Sequence, residues 1–505
     1  MLVRVIAQAH TATLAGIEAK PVVVEVDLQS GKTEFVMVGL PDKAVEESRE
    51  RVHTAMLNSE LRFPWMRIIC NLAPGDIRKE GPALDLPIAA AILAADEQIP
   101  AAELIGTMIV GELGLDGMLR PVDGAVSIAL LAEELGFRRV ILPVGNAPEA
   151  AAATHLPVYG VERLVDLLAI LNGSTEHAPM VFQPPAFVAP EYDVDYMDVK
   201  GQRQAVRALE IAAAGGHNLL MVGPPGSGKT MLARRLPTIL PPLGREEAIA
   251  VTRIYSANGQ TRGGRGLIWE RPFRSPHHTS SYAAMIGGGK YPKPGEVSLA
   301  HLGVLFMDEM PEFDRGVLES LRQPLEDGVV TVSRVQAALT FPARCMLVGA
   351  MNPCPCGFKG YPEAQCVGSP ATCGRYAARI SGPLLDRIDL HIQVPRLKPD
   401  ELLGMREGEA SAAIRERVIA ARDLQSARLG AGRTNSGLTP REVRDVIELG
   451  EEAREFLKLI AHRMNLSARV FDRVLKVART IADIAREPEV TKVHLSEAVQ
   501  YREPN

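Results

Sequence analysis

No uninterrupted apolar run in this 505-residue chain approaches the roughly 18 residues that a membrane-spanning helix needs. The first twenty residues lack the charged-then-apolar pattern of a secretory leader, so a cytoplasmic protein with no membrane partner is expected. Basic excess is missing too. A formal net charge of −5 gives no global pull on nucleic acid, so any DNA or RNA contact must come from a local cationic surface. Internal repeats and low-complexity arrays are absent, which excludes fibrous and disordered classes, and 46% hydrophobic residues are enough for several ordinary globular cores. Cysteines number only six, and four of them fall within residues 354–373. That clustering argues for a metal site rather than a distributed disulfide framework.

What is present is dominated by one octet, Gly223-Pro224-Pro225-Gly226-Ser227-Gly228-Lys229-Thr230. It follows an apolar segment, Asn218–Val222, suited to a buried parallel strand, and precedes Met231–Leu236, which reads as the first turns of a helix. This is the setting a phosphate-binding P-loop requires. The glycines let backbone N–H groups converge on phosphates, and the helix N-terminus adds partial positive charge. Lys229 can reach the β- and γ-phosphates of ATP, and Thr230 can ligate Mg2+. Met231 closes the nucleotide-binding run on the helix side.

Further along, Gly303–Met307 is an apolar strand ending in Asp308 and Glu309. Asp308 is suited to holding hydrated Mg2+ and Glu309 to polarising an attacking water. Another strand, Met346–Ala350, delivers Asn352, a neutral side chain able to position water or sense the γ-phosphate.

The chain divides into an N-terminal region, residues 1–171, a Pro/Ala-rich linker, 172–196, a P-loop region, 197–397, and a helical C-terminal region, 398–505. The first mixes β-branched strands (Val22–Val26, Phe35–Val38) with helical stretches (44–58, 84–95), an α+β pattern. In the last, Thr439-Pro-Arg-Glu442 forms a capping box, and Val470, Val474, Val477, Ile481 and Ile484 recur at helical spacing toward one core.

The ordered set of P-loop, Asp-Glu, Asn352, Leu384-Leu-Asp-Arg387 and a following helical segment resembles AAA+ ATPases. Its wording is similar to the magnesium-chelatase-like branch, and within it His301–Phe313, Leu321–Glu326, Ala350–Gly357 and Arg479–Asp483 resemble the YifB/ComM competence-protein group over essentially the whole chain. The resemblance implies an α/β multidomain fold: an AAA+ P-loop α/β domain, a C-terminal helical lid and a homo-oligomeric ring, expected to be a hexamer. It also implies that Arg387 is the finger reaching a neighbour's ATP and that Arg469 is the lid arginine answering the γ-phosphate in its own subunit.

Lys79–Asp85 and Val110–Gly117 resemble the Lon-protease proteolytic fold, of the ribosomal S5 domain 2-like type. Where that family carries its Ser nucleophile and Lys base, this chain has Ala83 and Val126, so acyl transfer by a Ser–Lys pair is chemically excluded. The region is read as a scaffold for a protein partner, with Lys79 and Asp85 as surface charges.

Cys354, Cys356, Cys366 and Cys373 suit a closed tetrahedral Zn2+ site; free thiols or a redox-labile pair are the alternative. A Gly- and cation-rich insert spans residues 262–290, and Val329–Phe341 reads as a hairpin. In related rings such insertions enter the pore, which nominates Arg271, Arg274, Lys290 and Arg334 as DNA phosphate contacts. The leading expectation is an ATP-driven ring motor on single-stranded or branched DNA, resembling branch-migration helicases of natural transformation. A protein-remodelling ATPase and the motor of a chelatase-like metal-insertion complex are the alternatives, the last disfavoured by the lack of an integrin-type Asp-x-Ser-x-Ser site.

Overall fold

The structure, a computed structural model, describes residues 6–182, 192–261, 266–289, 292–333, 338–360, 366–397, 407–464 and 466–502. They fall into two compact units. One comprises the described residues of Met1–Val188, Gly244–Trp269 and Tyr291–Pro294, the other those of Ala189–Leu243, Glu270–Lys290 and Gly295–Asn505. No helix among the described residues is long and apolar enough to cross a membrane.

The first unit is built on a seven-stranded mixed sheet. In chain order its strands are β1 (Ala7–Ala15), β2 (Glu18–Gln29), β3 (Glu34–Val38), β4 (Arg67–Ala73), β5 (Thr107–Ile109), β6 (Arg139–Pro143) and β7 (Val158–Val161), arranged β3-β4-β2-β1-β5-β6-β7. β1 and β2 form a long antiparallel pair, and β4 extends it antiparallel to β2. The other pairings are parallel. Helices α1 (Ser48–Asn58), α2 (Asp85–Ala95) and α3 (Ala125–Glu134) cover the sheet. Helix α2 is apolar around nearly its whole circumference, as a helix enclosed by protein must be, and its residues from Asp85 to Ala94 are all buried.

The helix Arg245–Ala257 lies in sequence inside the region assigned to the P-loop domain, yet it packs on α3. Ala248, Val251 and Ile254 supply its buried face, the Gly124 N–H donates to the Ser256 carbonyl at 2.9 Å, and Arg253 reaches the Ile17 carbonyl and Ser127 Oγ, each at 3.2 Å. The linker read as 172–196 is also partly structured. Met180 N–H donates to the Val158 carbonyl at 2.7 Å, and Tyr196, buried in the second unit, donates its hydroxyl to the Leu232 carbonyl at 2.9 Å.

The second unit holds a parallel five-stranded sheet of β8 (Leu219–Val222), β9 (Phe273–Arg274), β10 (Val304–Met307), β13 (Met346–Met351) and β14 (Leu390–Gln393), in the order β9-β10-β13-β8-β14. Its central strands β8, β10 and β13 are short, apolar and almost wholly buried, the usual state of a parallel sheet enclosed on both faces. The hairpin β11 (Val329–Ser333) and β12 (Ala338–Pro342) stands apart from the sheet as read, with Val329 opposite Pro342.

Helices α4 (Arg203–Gly215), α5 (Lys229–Arg235), α6 (Arg322–Asp327), α7 (Pro370–Ala377), α8 (Ser411–Leu429), α9 (Glu451–Arg463), α10 (Ala468–Ala485) and α11 (Lys492–Gln500) complete the unit. The C-terminal helices share one hydrophobic core with the sheet: Val474, Val477 and Ile481 of α10 belong to the same cluster as Val304 and Val348, with Val470 and Ile484 at its margin. The Thr439–Glu442 capping box forms with Pro440 in the first helical position.

Candidate nucleotide site

The C-terminal ends of β8, β10 and β13 converge, and each presents polar residues. After β8 the chain enters the octet, where Gly226 (φ +76°) and Gly228 (φ +92°) take left-handed conformations that a side chain disfavours. A Cβ on Gly223 would sit 2.3 Å from the Val394 carbonyl oxygen, so the loop cannot begin with a larger residue. Ser227 Oγ is buried without a hydrogen-bond partner, a polar atom left for a ligand to satisfy. Met231 is half-buried in the first turn of α5 and packs against the core.

Lys229 begins α5 and is buried, donating to the Gly223 carbonyl at 2.8 Å, the Pro224 carbonyl at 3.0 Å and Asn352 Oδ1 at 3.2 Å. Burial lowers its pKa, while Asp308 and Glu309 pull it back up. Thr230 Oγ1 donates to Asp308 Oδ2 at 2.6 Å, and the second Asp308 oxygen accepts the Glu309 N–H at 3.0 Å. Hydroxyl and carboxylate are hard oxygen donors side by side, the donor set that Mg2+ takes alongside water and phosphate. The residues therefore fit both ATP and Mg2+.

Glu309 is exposed and adopts φ +49°, a conformation that non-glycine residues seldom hold and that recurs at functional sites. His278, beyond the end of β9, brings Nδ1 to 3.6 Å from Glu309 Oε2. The sequence offered His278 only as part of a cationic insert. What places it here is the pairing of β9 beside β10, a topological fact with no local signature.

Arg387 is not brought to its own chain's P-loop. It precedes β14, which runs parallel to β8 with Leu219 opposite Leu390, whereas the P-loop follows the far end of β8. Four strand residues at about 3.3 Å each set the two ends roughly 13 Å apart. At its own end Arg387 pairs with Glu326 of α6 and donates to the Pro383 carbonyl at 2.8 Å. Arg469, exposed in the first turn of α10, and Arg473 also act on Glu326, whose pKa is lowered first by the Arg387 bond and then by these charges. Arg469, expected from the resemblance to answer its own chain's γ-phosphate, thus shares the Glu326 end of the sheet with Arg387.

Two residues on, Asp389 is locked by His217 Nδ1 at 3.2 Å and Arg473 at 3.0 Å. Burial alone would raise the Asp389 pKa, but His217, Arg473 and Arg502 together hold it well below the usual carboxylate range.

Two of the nominated DNA contacts are engaged inside the fold. Arg271 donates to the Pro241 carbonyl at 2.6 Å and the Leu302 carbonyl at 2.8 Å, and Arg274 makes a two-pronged pair with Glu296 at 2.6 and 2.7 Å. Lys290 and Arg334 lie outside the described residues. In the first unit, Lys79 and Asp85 are buried rather than surface charges. Lys79 donates to the Pro74 carbonyl, and Asp85 receives Arg51 on both oxygens at 2.7 and 2.9 Å plus the Leu113 N–H at 3.1 Å. Ala83 is half-buried and Val126 fully buried, so neither nucleophile nor base stands at those positions.

Of the cysteines, Cys354, Cys356 and Cys366 cluster with all three sulfurs within 4.8 Å of one another, and Cys373 Sγ lies 3.7 Å from that of Cys366. They could hold a metal ion.

A glycine-cradled strand–loop–helix with a paired Thr and Asp defines a P-loop nucleotide-binding protein. Known families agree: residues 195–402 match the model described as magnesium chelatase, subunit ChlI, residues 24–146 that of subunit ChlI of Mg-chelatase, and residues 408–502 that of the subunit's C-terminal part. The uncharacterized protein YifB of Salmonella typhimurium is 44% identical over 501 residues, 98% of this chain and 97% of that protein. Competence protein ComM of Haemophilus influenzae is 43% identical over 503 residues, again 98% and 97%. A partial likeness to Lon protease 2 of Thermus thermophilus, 30% over 135 residues, covers 25% of this chain and 16% of that protein. The chain belongs to the YifB/ComM family of magnesium-chelatase-like AAA+ proteins.

Proposed function

We propose that the protein is an Mg2+-dependent ATPase that works as a homo-oligomeric ring, expected to be a hexamer, and drives DNA strands through or past one another. The observation carrying the ATPase reading is the Thr230–Asp308 hydrogen bond at 2.6 Å, with Lys229 between the loop carbonyls and Asn352. Bound Mg2+ would neutralise phosphate charge and fix the leaving group. In the chain's own chemistry, Lys229 exchanges carbonyl partners for phosphate oxygens, and Asn352, freed from Lys229, holds the attacking water. Glu309 accepts that water's proton. On this reading Arg387 serves a neighbour's nucleotide, and its position at the other end of the sheet from its own P-loop supports a ring.

The DNA assignment draws on the name of the ComM relative. Because Arg271 and Arg274 are engaged within the fold, Lys290 and Arg334 remain as phosphate contacts of the pore. The test is phosphate release with single-stranded, duplex and branched DNA, beside unwinding of a branched substrate. Stimulation by branched DNA supports the reading. No stimulation and no unwinding would transfer it to the second reading, protein remodelling, which the Lon-like likeness with Ala83 and Val126 favours.

A further inference from the structure

Metal-site geometry and the nucleotide cradle meet in the cysteine cluster. Four thiolates around Zn2+, with Zn–S near 2.3 Å, have sulfur–sulfur edges of about 3.8 Å. Here the pairs Cys354–Cys366, Cys356–Cys366 and Cys366–Cys373 stand at 3.7, 3.5 and 3.7 Å, with Cys354–Cys356 at 3.2 Å. None is bonded to another as a disulfide. Backbone N–H groups already point at sulfur: Lys359 N–H donates to Cys354 Sγ at 3.3 Å, and those of Phe358 and Val367 to Cys356. Backbone donors of this kind make up the outer shell of metal sites.

The cluster touches the cradle at two points. Next to Cys356, Gly357 (φ +86°) lies so close to Pro225 that a Cβ there would come within 2.3 Å of the proline Cδ. One helical turn from Cys373 on α7, the Tyr376 hydroxyl accepts the backbone N–H of Asn352, whose side chain binds Lys229.

We propose that Cys354, Cys356, Cys366 and Cys373 bind one Zn2+, and that this closed centre clamps the nucleotide cradle at Pro225 and Asn352. On binding, the four thiols give up their protons and the metal takes four sulfur ligands with no open position, so the role is mechanical rather than catalytic. The clamp rests on the nucleotide-site reading above; the metal site does not.

The experiment uses the full chain. Elemental analysis of protein purified without added metal should find one zinc per chain, and Cys366→Ser and Cys373→Ser should each lose it. Titration with a fluorescent ADP analogue should show binding about tenfold weaker in the zinc-free variants, and ZnCl2 should restore it in chelator-treated wild type. Gly357→Ala keeps every thiol but drives a methyl into Pro225, so it should retain zinc and still bind the analogue several-fold more weakly. That separates the clamp from any folding defect of the cysteine variants. No zinc in the wild type, or a Cys354–Cys356 disulfide by thiol counting, overturns the metal site. Zinc present but affinity unchanged on its removal and in Gly357→Ala overturns the clamp. Zinc present but no analogue bound by wild type fails the nucleotide reading instead.

Discussion

The buried charges of the first unit and those of the second unit's candidate nucleotide site are satisfied in opposite ways. In the first, Asp85 is closed off by both arms of Arg51 and a backbone N–H, and Lys79 by the Pro74 carbonyl. None of these partners is one that a ligand would replace, and the positions corresponding to a peptidase's reacting groups hold Ala83 and Val126. In the second, Lys229 rests on carbonyls and an amide, and Thr230 on Asp308, contacts that the phosphate and metal of the proposed nucleotide site would replace. A fold carries chemistry where its buried polar groups are satisfied by bonds that a substrate can take over. Where those bonds are final, the same kind of residue holds the fold together.

The contrast breaks first, and furthest, at the exchangeable bonds. Lys229→Ala should abolish nucleotide binding, and Glu309→Gln should leave binding intact while stopping phosphate release. Arg387→Ala should cut turnover by about 10³-fold, the lower range for finger arginines. Mixing it with the Lys229→Ala protein should recover turnover at shared interfaces, read by phosphate release at fixed total protein.

A closed bond should behave differently. Asp85→Ala leaves Arg51 facing a buried void and should cost the first unit about 3–5 kcal/mol in urea unfolding, with nucleotide affinity per folded chain unchanged.

Acid sharpens the comparison further. In the second unit, burial pushes His301 and His391 down to about 4. Below the ordinary histidine pKa of 6.5 their unfolded forms take up protons that the folded forms refuse. Stability therefore falls as pH drops from 6.5 toward 4, by up to about 1.4 kcal/mol per pH unit for each. Asp389, held low in the fold, adds a loss only below its unfolded value of 3.8. In the first unit, burial raises Asp85 and Glu149, so their folded forms bind protons more readily and acidification relieves them; His10, lowered by burial, and Glu18, lowered by its Lys20 hydrogen bond, oppose this. Limited proteolysis between pH 7 and 4.5 should open the second unit first. The smallest effect is expected at Thr439→Ala, which removes a helix cap for about 1 kcal/mol and should lower the melting temperature without altering turnover.

Local order in the chain made half of the site legible. The octet, Asp308, Glu309 and Asn352 each sit at the end of a strand that the sequence reveals, and the Thr439 cap and the α10 stripe follow rules confined to a few residues. What was illegible depends on which strands are neighbours. His278 meets Glu309 because β9 lies beside β10, and Tyr376 meets Asn352 although 24 positions separate them in sequence. Composition also misled: Arg271 and Arg274 read as free cations, and Lys79 and Asp85 as surface charges, because a sequence shows charge but not the carbonyl or carboxylate that captures it.

The short β8 and β14 strands put Arg387 and the P-loop on opposite rims of one sheet. In the proposed ring, a defect at that arginine would injure the adjoining copy and spare the chain that carries it. In a cell holding both versions of the gene product, the faulty one should act dominantly, and lost activity should outrun its share of the pool.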